Sequence, residues 1–509
     1  MRRNNPTTGT LMRHVLSSNM RVFNSKNLVF LFLCYCAFGV EAEAQVSLPE
    51  PGPERSVNVP AVKESKLKNG MTVVVVEKKG VPIVSVNLLV RAGAAGEGMK
   101  KAGLANITAD MLTKGTKTRT AEQIAEEMEF LGSSLNSGAG WNSSTLGMSV
   151  TSDKLDAAMA ILSDVVLNPS FKQEELDLLR SQTLDELKYN LTQPGFLANY
   201  VASAWSYGEH PTGGTPASIG SIGRGDVDTF FKAAYQPQGS VLIFVGDIAQ
   251  ENAVKAADQY FGNWESAPIG KAAIGPVKSS GGNNNGIYAR FLVVDLPNSG
   301  QAAVNYLVPV RGSGRSSKDY YSASVLNSLL GGGYSSRLNQ EIRIKRGLSY
   351  GAGSNFSWRG SSSNFGARTQ TKDVSAAEVA ELIVAEIKRL ADGDPTAAEL
   401  DPRKAVLTGG FGRNLETNAG LAGAIADLYS FGIPASELNA YMTNVNSVQS
   451  SAIKSFAAKN FVNGDIVIVG DYAKFKDDLA KRFPNAKIEV VKADEIDIES
   501  PTLKRSDIQ

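Results

Sequence analysis

Residues 241–247 read VLIFVGD, and residues 466–471 read IVIVGD. In both stretches a short apolar run ends at a Gly-Asp pair, which is typical of a buried strand followed by a turn. Glu175-Leu176 in the first half is likewise echoed by Glu399-Leu400 in the second, and both kinds of pair are displaced by the same 224 residues. A displacement of this size predicts a duplicated domain, since solenoid repeats have periods of roughly 20–50 residues.

Each half of the chain combines strand patterns with helix patterns. Residues 71–77 and 83–92 are rich in β-branched side chains and are separated by KKGVP, which predicts two neighbouring strands. Thr120 and Gln123 have the spacing of a helix capping box and precede apolar residues at helical spacing. Strands that come in adjacent pairs and helices that come in runs favour the α+β class.

The repeat sets the expected domain boundaries. We predict an N-terminal domain over residues 60–265 and a homologous C-terminal domain over residues 287–490. The linker between them, residues 266–286, contains SSGGNNNG, a composition typical of flexible connections. Two such domains can close as a clamshell around a substrate chamber. Residues 491–509 are polar, and we expect a mobile tail there.

The N-terminus has the pattern of an export signal. Basic residues precede an apolar run at residues 28–40, and Ala42-Glu43-Ala44 forms a small-x-small cleavage signal. We therefore expect residues 1–44 to be a signal peptide of a periplasmic protein, followed by an extended leader at residues 45–59. The apolar run is shorter than the roughly 20 residues that span a membrane, so no transmembrane anchor is expected after cleavage. An uncleaved anchor is the alternative.

Composition narrows the classes of partner. The 509-residue chain has a net charge of +1, which gives no electrostatic reason to expect nucleic acid. Of its two histidines, His14 lies in the predicted signal, so His210 would stand alone in the mature chain. One histidine cannot form the histidine pair of a common zinc site and remains only a candidate general base. Its position before Pro211 favours a loop histidine.

Residues 103–116, GLANITADMLTKGT, resemble the active-site helix of the pitrilysin/insulinase-type zinc metallopeptidases. That helix carries the inverted zinc motif H-x-x-E-H. In this chain the two histidine positions hold Asn106 and Asp110, the position of the glutamate base holds Ala109, and Glu186 lies where the third zinc ligand would fall. The framing residues match the family pattern: Gly103, Ala105, Met111, Leu112, Lys114, Gly115 and Thr116.

These replacements remove the chemistry of the motif. Zinc prefers imidazole or thiolate donors, for which the amide oxygen of Asn106 is a poor substitute. Without a carboxylate at position 109, nothing there can take the proton of an attacking water. We therefore expect no metal and no cofactor in this chain, and no peptidase activity from the chain alone. A weak site for a hard cation such as calcium, made by Asn106, Asp110 and Glu186, is the alternative to a hydrogen-bonded remnant.

Residues 331–350, GGGYSSRLNQEIRIKRGLSY, predict a short helix that ends at Gly347 and a strand that has begun at Tyr350. Arg343 would lie on the last helical turn, so that a guanidinium and a phenol could meet one developing oxyanion. The other interpretation is a surface arginine and a half-buried strand tyrosine. Members of the family that the chain resembles carry such a pair, seven residues apart, which binds the substrate carbonyl and oxyanion opposite the zinc.

The resemblance implies a pitrilysin-like subunit that lacks zinc. Some relatives divide the work between two chains, one with the zinc motif and a sister without it. The expected function is therefore a subunit of a heteromeric zinc metalloendopeptidase that supplies Arg343 and Tyr350 to the zinc site of a homologous partner, with a peptide as substrate. A non-enzymatic pseudopeptidase in an assembly of the cell envelope is one alternative. A self-sufficient peptidase with an unusual metal site is the other.

Overall fold

A computed structural model describes residues 57–266 and 288–505. The predicted signal peptide, residues 1–44, lies outside the described residues, as do nearly all of the predicted leader at 45–59 and of the predicted linker at 266–286.

The first half is a six-stranded sheet covered by helices. Its strands have the spatial order β1-β2-β6-β3-β5-β4, and all neighbours are antiparallel except β2 and β6. The strands are β1 (Val62–Lys66), β2 (Thr72–Glu77), β3 (Ile83–Val90), β4 (Asn136–Ala139), β5 (Ser144–Thr151) and β6 (Ser240–Gly246). The helices are α1 (Leu104–Leu112), α2 (Ala121–Phe130), α3 (Leu155–Leu167), α4 (Gln173–Asn190), α5 (Pro194–Trp205), α6 (Pro216–Ser221), α7 (Arg224–Ala234) and α8 (Gln250–Phe261).

The second half repeats this sheet in the order β12-β7-β11-β8-β10-β9. Its strands are β7 (Tyr288–Asp295), β8 (Ala302–Arg311), β9 (Ala352–Trp358), β10 (Ser362–Thr371), β11 (Gly464–Gly470) and β12 (Ile488–Lys492). Its helices are α9 (Tyr320–Leu330), α10 (Arg337–Asn339), α11 (Ala376–Asp392), α12 (Ala397–Glu416), α13 (Asn418–Ser430), α14 (Glu437–Ser447), α15 (Ser450–Asn460) and α16 (Lys476–Arg482). The duplicated α+β architecture is confirmed.

Local signals in the sequence produce the expected elements. The predicted capping box is present at the start of α2, where Thr120 Oγ1 accepts from the backbone N–H of Gln123 and Gln123 Oε1 accepts from that of Thr120. The two apolar runs that end in Gly-Asp become β6 and β11, which are buried along their whole length. Each of these central strands is buried on both faces, so each sheet needs a cover on both sides.

The outer cover of each sheet comes from the other half of the chain. Helix α5 of the first half packs Leu197 and Val201 against the second sheet, where Leu307 and Val467 lie on the contacted face. Arg290 of β7 also donates from Nη2 to the carbonyl oxygen of Trp205, at 2.6 Å, at the end of α5.

Helix α13 makes the reciprocal contact with the first sheet. Its Leu421 and Ile425 pack against Leu89 and Ile243, and Asn418 Nδ2 donates to the carbonyl oxygen of Ile83, at 2.9 Å. The exchange of helices joins the two halves by their apolar cores.

The described part of the C-terminal segment, residues 491–505, differs from the mobile tail expected at residues 491–509. Val491 lies in β12, which pairs in parallel with β7, and the chain beyond it buries Ile498 and Leu503 in the cluster around α5. The segment is polar overall, but its apolar side chains Val491, Ile498 and Leu503 pack beside α5.

We expect Ile425→Ala to lower the free energy of unfolding by about 2–5 kcal/mol, because it leaves a cavity between α13 and the first sheet. Ile425 is fully buried there. Urea unfolding followed by circular dichroism measures the effect. The matched control is Gly423→Ala in the same helix, where an added Cβ meets open space and should be neutral or stabilising by up to about 1 kcal/mol. Equal urea midpoints for Ile425→Ala and wild type would contradict a structural role for the exchange.

Candidate functional site

Helix α1 carries the degenerate zinc motif and begins directly after a turn that requires glycine. Gly103 precedes it with φ of 91°, in the left-handed region that favours glycine. A Cβ at this position would also lie 2.6 Å from Ile219 Cδ1. The carboxyl group of Glu97 accepts from the backbone N–H groups of Gly103 and Ala105, each at 2.7 Å, and so satisfies donors that a helix start leaves free.

His210 lies next to the turn that precedes α1. Its Nε2 is 3.1 Å from the carbonyl oxygens of Ala94 and Glu97, and its Nδ1 is 3.7 Å from Glu97 Oε1. The imidazole is buried and lies against the ring of Trp141, with the ring centroids 5.1 Å apart. It is a loop histidine, as predicted, and these contacts give it a structural role.

The side chains at the two histidine positions of the motif do not form a metal site. Asn106 Nδ2 donates to the carbonyl oxygen of Thr212 at 2.7 Å, and its Oδ1 accepts from the backbone N–H of Ala139 at 3.3 Å. Both ends of this amide are therefore engaged in joining α1 to a loop and to the edge strand β4. Asp110 is half-buried, and burial raises the pKa of its carboxyl, which opposes the charged form that a cation would need.

The other two motif positions do not complete a metal site. Ala109 is fully buried and offers no side-chain donor, and Glu186 is exposed on α4. Within residues 57–266 and 288–505, no group of three or more His, Cys, Asp or Glu side chains is arranged to hold a metal ion. The donor set and its hydrogen bonds do not fit zinc, so no hydrolytic step can be derived for this helix.

Arg343 lies where the sequence predicts it, at the end of a helical segment. The short α10 continues as one π-helical turn, Gln340–Ile344, and the segment ends at Gly347, which has φ of 64°. The guanidinium of Arg343 lies over the ring of Tyr334 at 5.1 Å. Glu341 forms ion pairs with the neighbouring Lys345 and Arg346, which leaves Arg343 without a carboxylate partner among the described residues.

The prediction for Tyr350 is wrong in one respect. The strand begins only at Ala352, so Tyr350 lies in the loop before it, with its side chain 92% exposed. The interpretation as a half-buried strand tyrosine is wrong for the same reason. No hydrogen bond or ring contact of the described residues joins Arg343 to Tyr350. Tyr350 instead borders a cavity of about 1050 Å³ beside α5.

Three residues of these sites were not predicted from the sequence: Glu97 at the start of α1, and Asn305 and Arg368, which line the cavity that Tyr350 borders. Glu97 lies in an irregular segment with no pattern of its own. Asn305 had a usable signal, because it is a polar residue among apolar neighbours on one face of β8.

We expect the stability of the protein to depend on pH through Glu97. Burial raises the pKa of its carboxyl to about 7 against the opposing effect of its backbone hydrogen bonds. The folded state then holds a proton that the unfolded state releases near its ordinary pKa of 4.5. The stabilising contribution is therefore complete below that value and is lost as pH rises to about 7, by up to about 3 kcal/mol.

Urea unfolding of wild type and Glu97→Gln at pH 5 and at pH 8 measures this dependence, and the variant should lose less stability than wild type as pH rises. Identical pH dependence of the two proteins would show that the carboxyl of Glu97 titrates normally.

Comparison with known proteins identifies the relatives of this fold. Residues 72–208 match the insulinase (peptidase family M16) description, and residues 221–407 match the peptidase M16 inactive domain. An uncharacterized zinc protease of Rickettsia bellii is 30% identical over 57% of this chain and 68% of its own length.

Two solved structures are similar to this one. A peptidase M16 inactive domain from Pseudomonas fluorescens has a TM-score of 0.72 and 25% identity and covers 80% of this chain and 98% of its own. The periplasmic protease PqqL of Escherichia coli has a TM-score of 0.66 and covers 86% of this chain and 52% of its own; at 15% identity it shows the fold alone.

Proposed function

The chain belongs to the insulinase (peptidase M16) family, and we propose that it is the non-zinc-binding subunit of a heteromeric zinc metalloendopeptidase. Its partner would be a homologous chain with an intact H-x-x-E-H motif, and its substrate would be a peptide. One contrast supports this proposal. At the motif, the side chain of Asn106 is held by two hydrogen bonds and Ala109 offers neither a ligand nor a base, whereas the side chains of Arg343 and Tyr350 make no hydrogen bond or ion pair with another described residue.

The chemistry of Arg343 and Tyr350 suits the proposed role. A guanidinium and a phenol both donate hydrogen bonds, and neither side chain here is engaged by a carboxylate that would neutralise it. Directed at a peptide carbonyl, they would stabilise the negative charge that its oxygen gains when water attacks. The partner's zinc would supply the activated water. This chain would bind and orient the substrate and stabilise the developing oxyanion.

The proposed location is the periplasm. It is supported by the basic, apolar and small-x-small sequence of residues 1–44 and by the fold shared with a periplasmic protease. In residues 57–266 and 288–505, no helix is both long enough and apolar enough to cross a membrane.

We expect Arg343→Ala and Tyr350→Phe each to lower kcat of the assembled enzyme by about 10²–10³, because each removes a donor to the oxyanion. The assay mixes this chain with the partner that co-purifies with it and measures cleavage of a fluorogenic peptide. Arg346→Ala is the matched control. Arg346 lies in the same segment but is ion-paired with Glu341. The kcat of the enzyme assembled with Arg346→Ala should remain close to that of wild type.

Three results would argue against the proposed role. Unchanged turnover in both variants would show that Arg343 and Tyr350 do not act on the oxyanion. Co-purification with an envelope assembly that contains no zinc-bearing peptidase would favour the non-enzymatic function, and chelator-sensitive cleavage by the isolated chain would favour a self-sufficient enzyme.

A further inference from the structure

The cavity of about 1050 Å³ beside α5 lies between the two halves of the chain. One wall is the start of α5, another is the outer face of β8 and β10, and the loop that carries Tyr350 forms part of the rim. The lining residues are Gln193, Gly195, Phe196, Asn199, Gly300, Gln301, Ala303, Asn305, residues 347–351 and residues 368–372. They include two cations, Arg368 and Lys372, and no carboxylate.

Arg368 has no counter-charge among the described residues. Its guanidinium lies over Gly366, where a Cβ would be 2.6 Å from Nη2. Nη1 donates to Asn355 Oδ1, and Nη2 makes a long contact of 3.5 Å with the hydroxyl of Tyr207. Both partners are neutral, and Nε has no partner. The guanidinium therefore has no charged acceptor among the described residues, and its Nε is a buried donor without a partner.

Asn305 supplies a second unused donor in the same cavity. It pairs in register with Arg368 across β8 and β10 and is only 3% exposed. Its Nδ2 makes no hydrogen bond with a described residue. A buried donor without a partner is unfavourable, so a ligand that accepts a hydrogen bond here would offset that cost.

The duplication provides an internal comparison. Asn87 of β3 corresponds to Asn305, because Asn87 pairs with Ile243 as Asn305 pairs with Val467, at the equivalent positions of β6 and β11. The neighbour of Asn87 on the next strand is glycine, Gly147, at the position that corresponds to Arg368.

The smaller cavity of the first half, about 610 Å³, is lined by one acid, Glu129, and by no lysine or arginine. The two cavities share an architecture but have opposite charge, so the cationic lining is not a by-product of the fold.

We propose that the cavity beside α5 binds a carboxylate of a peptide, either its C-terminal carboxylate or an acidic side chain, through Arg368 with Asn305 as a second donor. That the ligand is a peptide rests on the proposed function, whereas recognition of a carboxylate rests on the cavity alone. Tyr350 on the rim would then contact the same peptide, which makes this cavity a determinant of substrate choice.

The test measures binding of fluorescent peptides to the full chain without its partner, by anisotropy. Each peptide with a free C-terminus and a glutamate is compared with its C-terminally amidated form and with its Glu→Gln form. We expect at least one neutralised form to bind at least about tenfold more weakly, as for a lost charge-assisted hydrogen bond. Loss on amidation alone identifies the C-terminal carboxylate as the ligand, and loss on Glu→Gln alone identifies the acidic side chain.

Two variants address the cavity directly. Arg368→Gln should remove the preference for the charged peptide. Asn305→Asp should also remove this preference, because the new carboxylate would give Arg368 an internal partner. This second variant keeps the test decisive if Arg368→Gln fails to fold. Arg311→Gln, an exposed cation at the end of β8, is the matched control and should bind like wild type.

Equal binding of charged and neutralised peptides, no binding of any peptide, or a preference that survives both cavity variants would overturn the proposal. Because this assay contains no partner, its result is separate from the turnover of Arg343 and Tyr350 variants, and either proposal can fail alone.

Discussion

The structure depends on the burial of two apolar sheet faces that neither half of the chain covers by itself. Helix α5 leaves the first half to cover the second sheet, and α13 does the reverse. Removing either helix would expose a face made of Val, Leu and Ile, at a cost of about 25 cal/mol for each Å². The two halves are therefore joined by this exchange as well as by the connecting segment between them.

The exchange also forms the features that bear on function. The cavity that Tyr350 borders exists because α5 leaves a gap beside β10 as it crosses the second sheet. An ion pair between Glu209 and Arg359, at 2.7 Å, further links the halves. In the first half the side chain of Asn106 holds helix α1 to a loop and to the edge of the sheet.

Much of this could be predicted from local patterns. The Gly-Asp landmarks revealed the duplication, Thr120 marked the start of α2, and Gly347 marked the end of the helical segment, because each depends on residues close in sequence. The exchange of helices could not be predicted, since the apolar face of α5 does not specify which sheet it covers. The same limit applies to the buried C-terminal segment, where Ile498 and Leu503 pack against distant elements.

The candidate site was predictable in part. The motif positions were located by resemblance, but their hydrogen bonds were not, because Thr212 and Ala139 are distant in sequence from Asn106. Tyr350 was placed in a strand because its neighbours favour one, whereas the strand starts at Ala352 and leaves the phenol exposed. Nothing in the sequence indicated a role for Arg368, because an arginine on a strand is ordinary. Only the structure shows that it has no counter-charge among the described residues.

Titration of the zinc-bearing partner with this chain would decide whether the two chains together form one peptidase. Peptide cleavage is measured at a fixed concentration of partner while the concentration of this chain is raised. If the two chains form one enzyme, each protein alone is inactive and turnover rises to saturation at a defined ratio of the two chains. Full activity of the partner alone, with no change on addition of this chain, would contradict the proposed function.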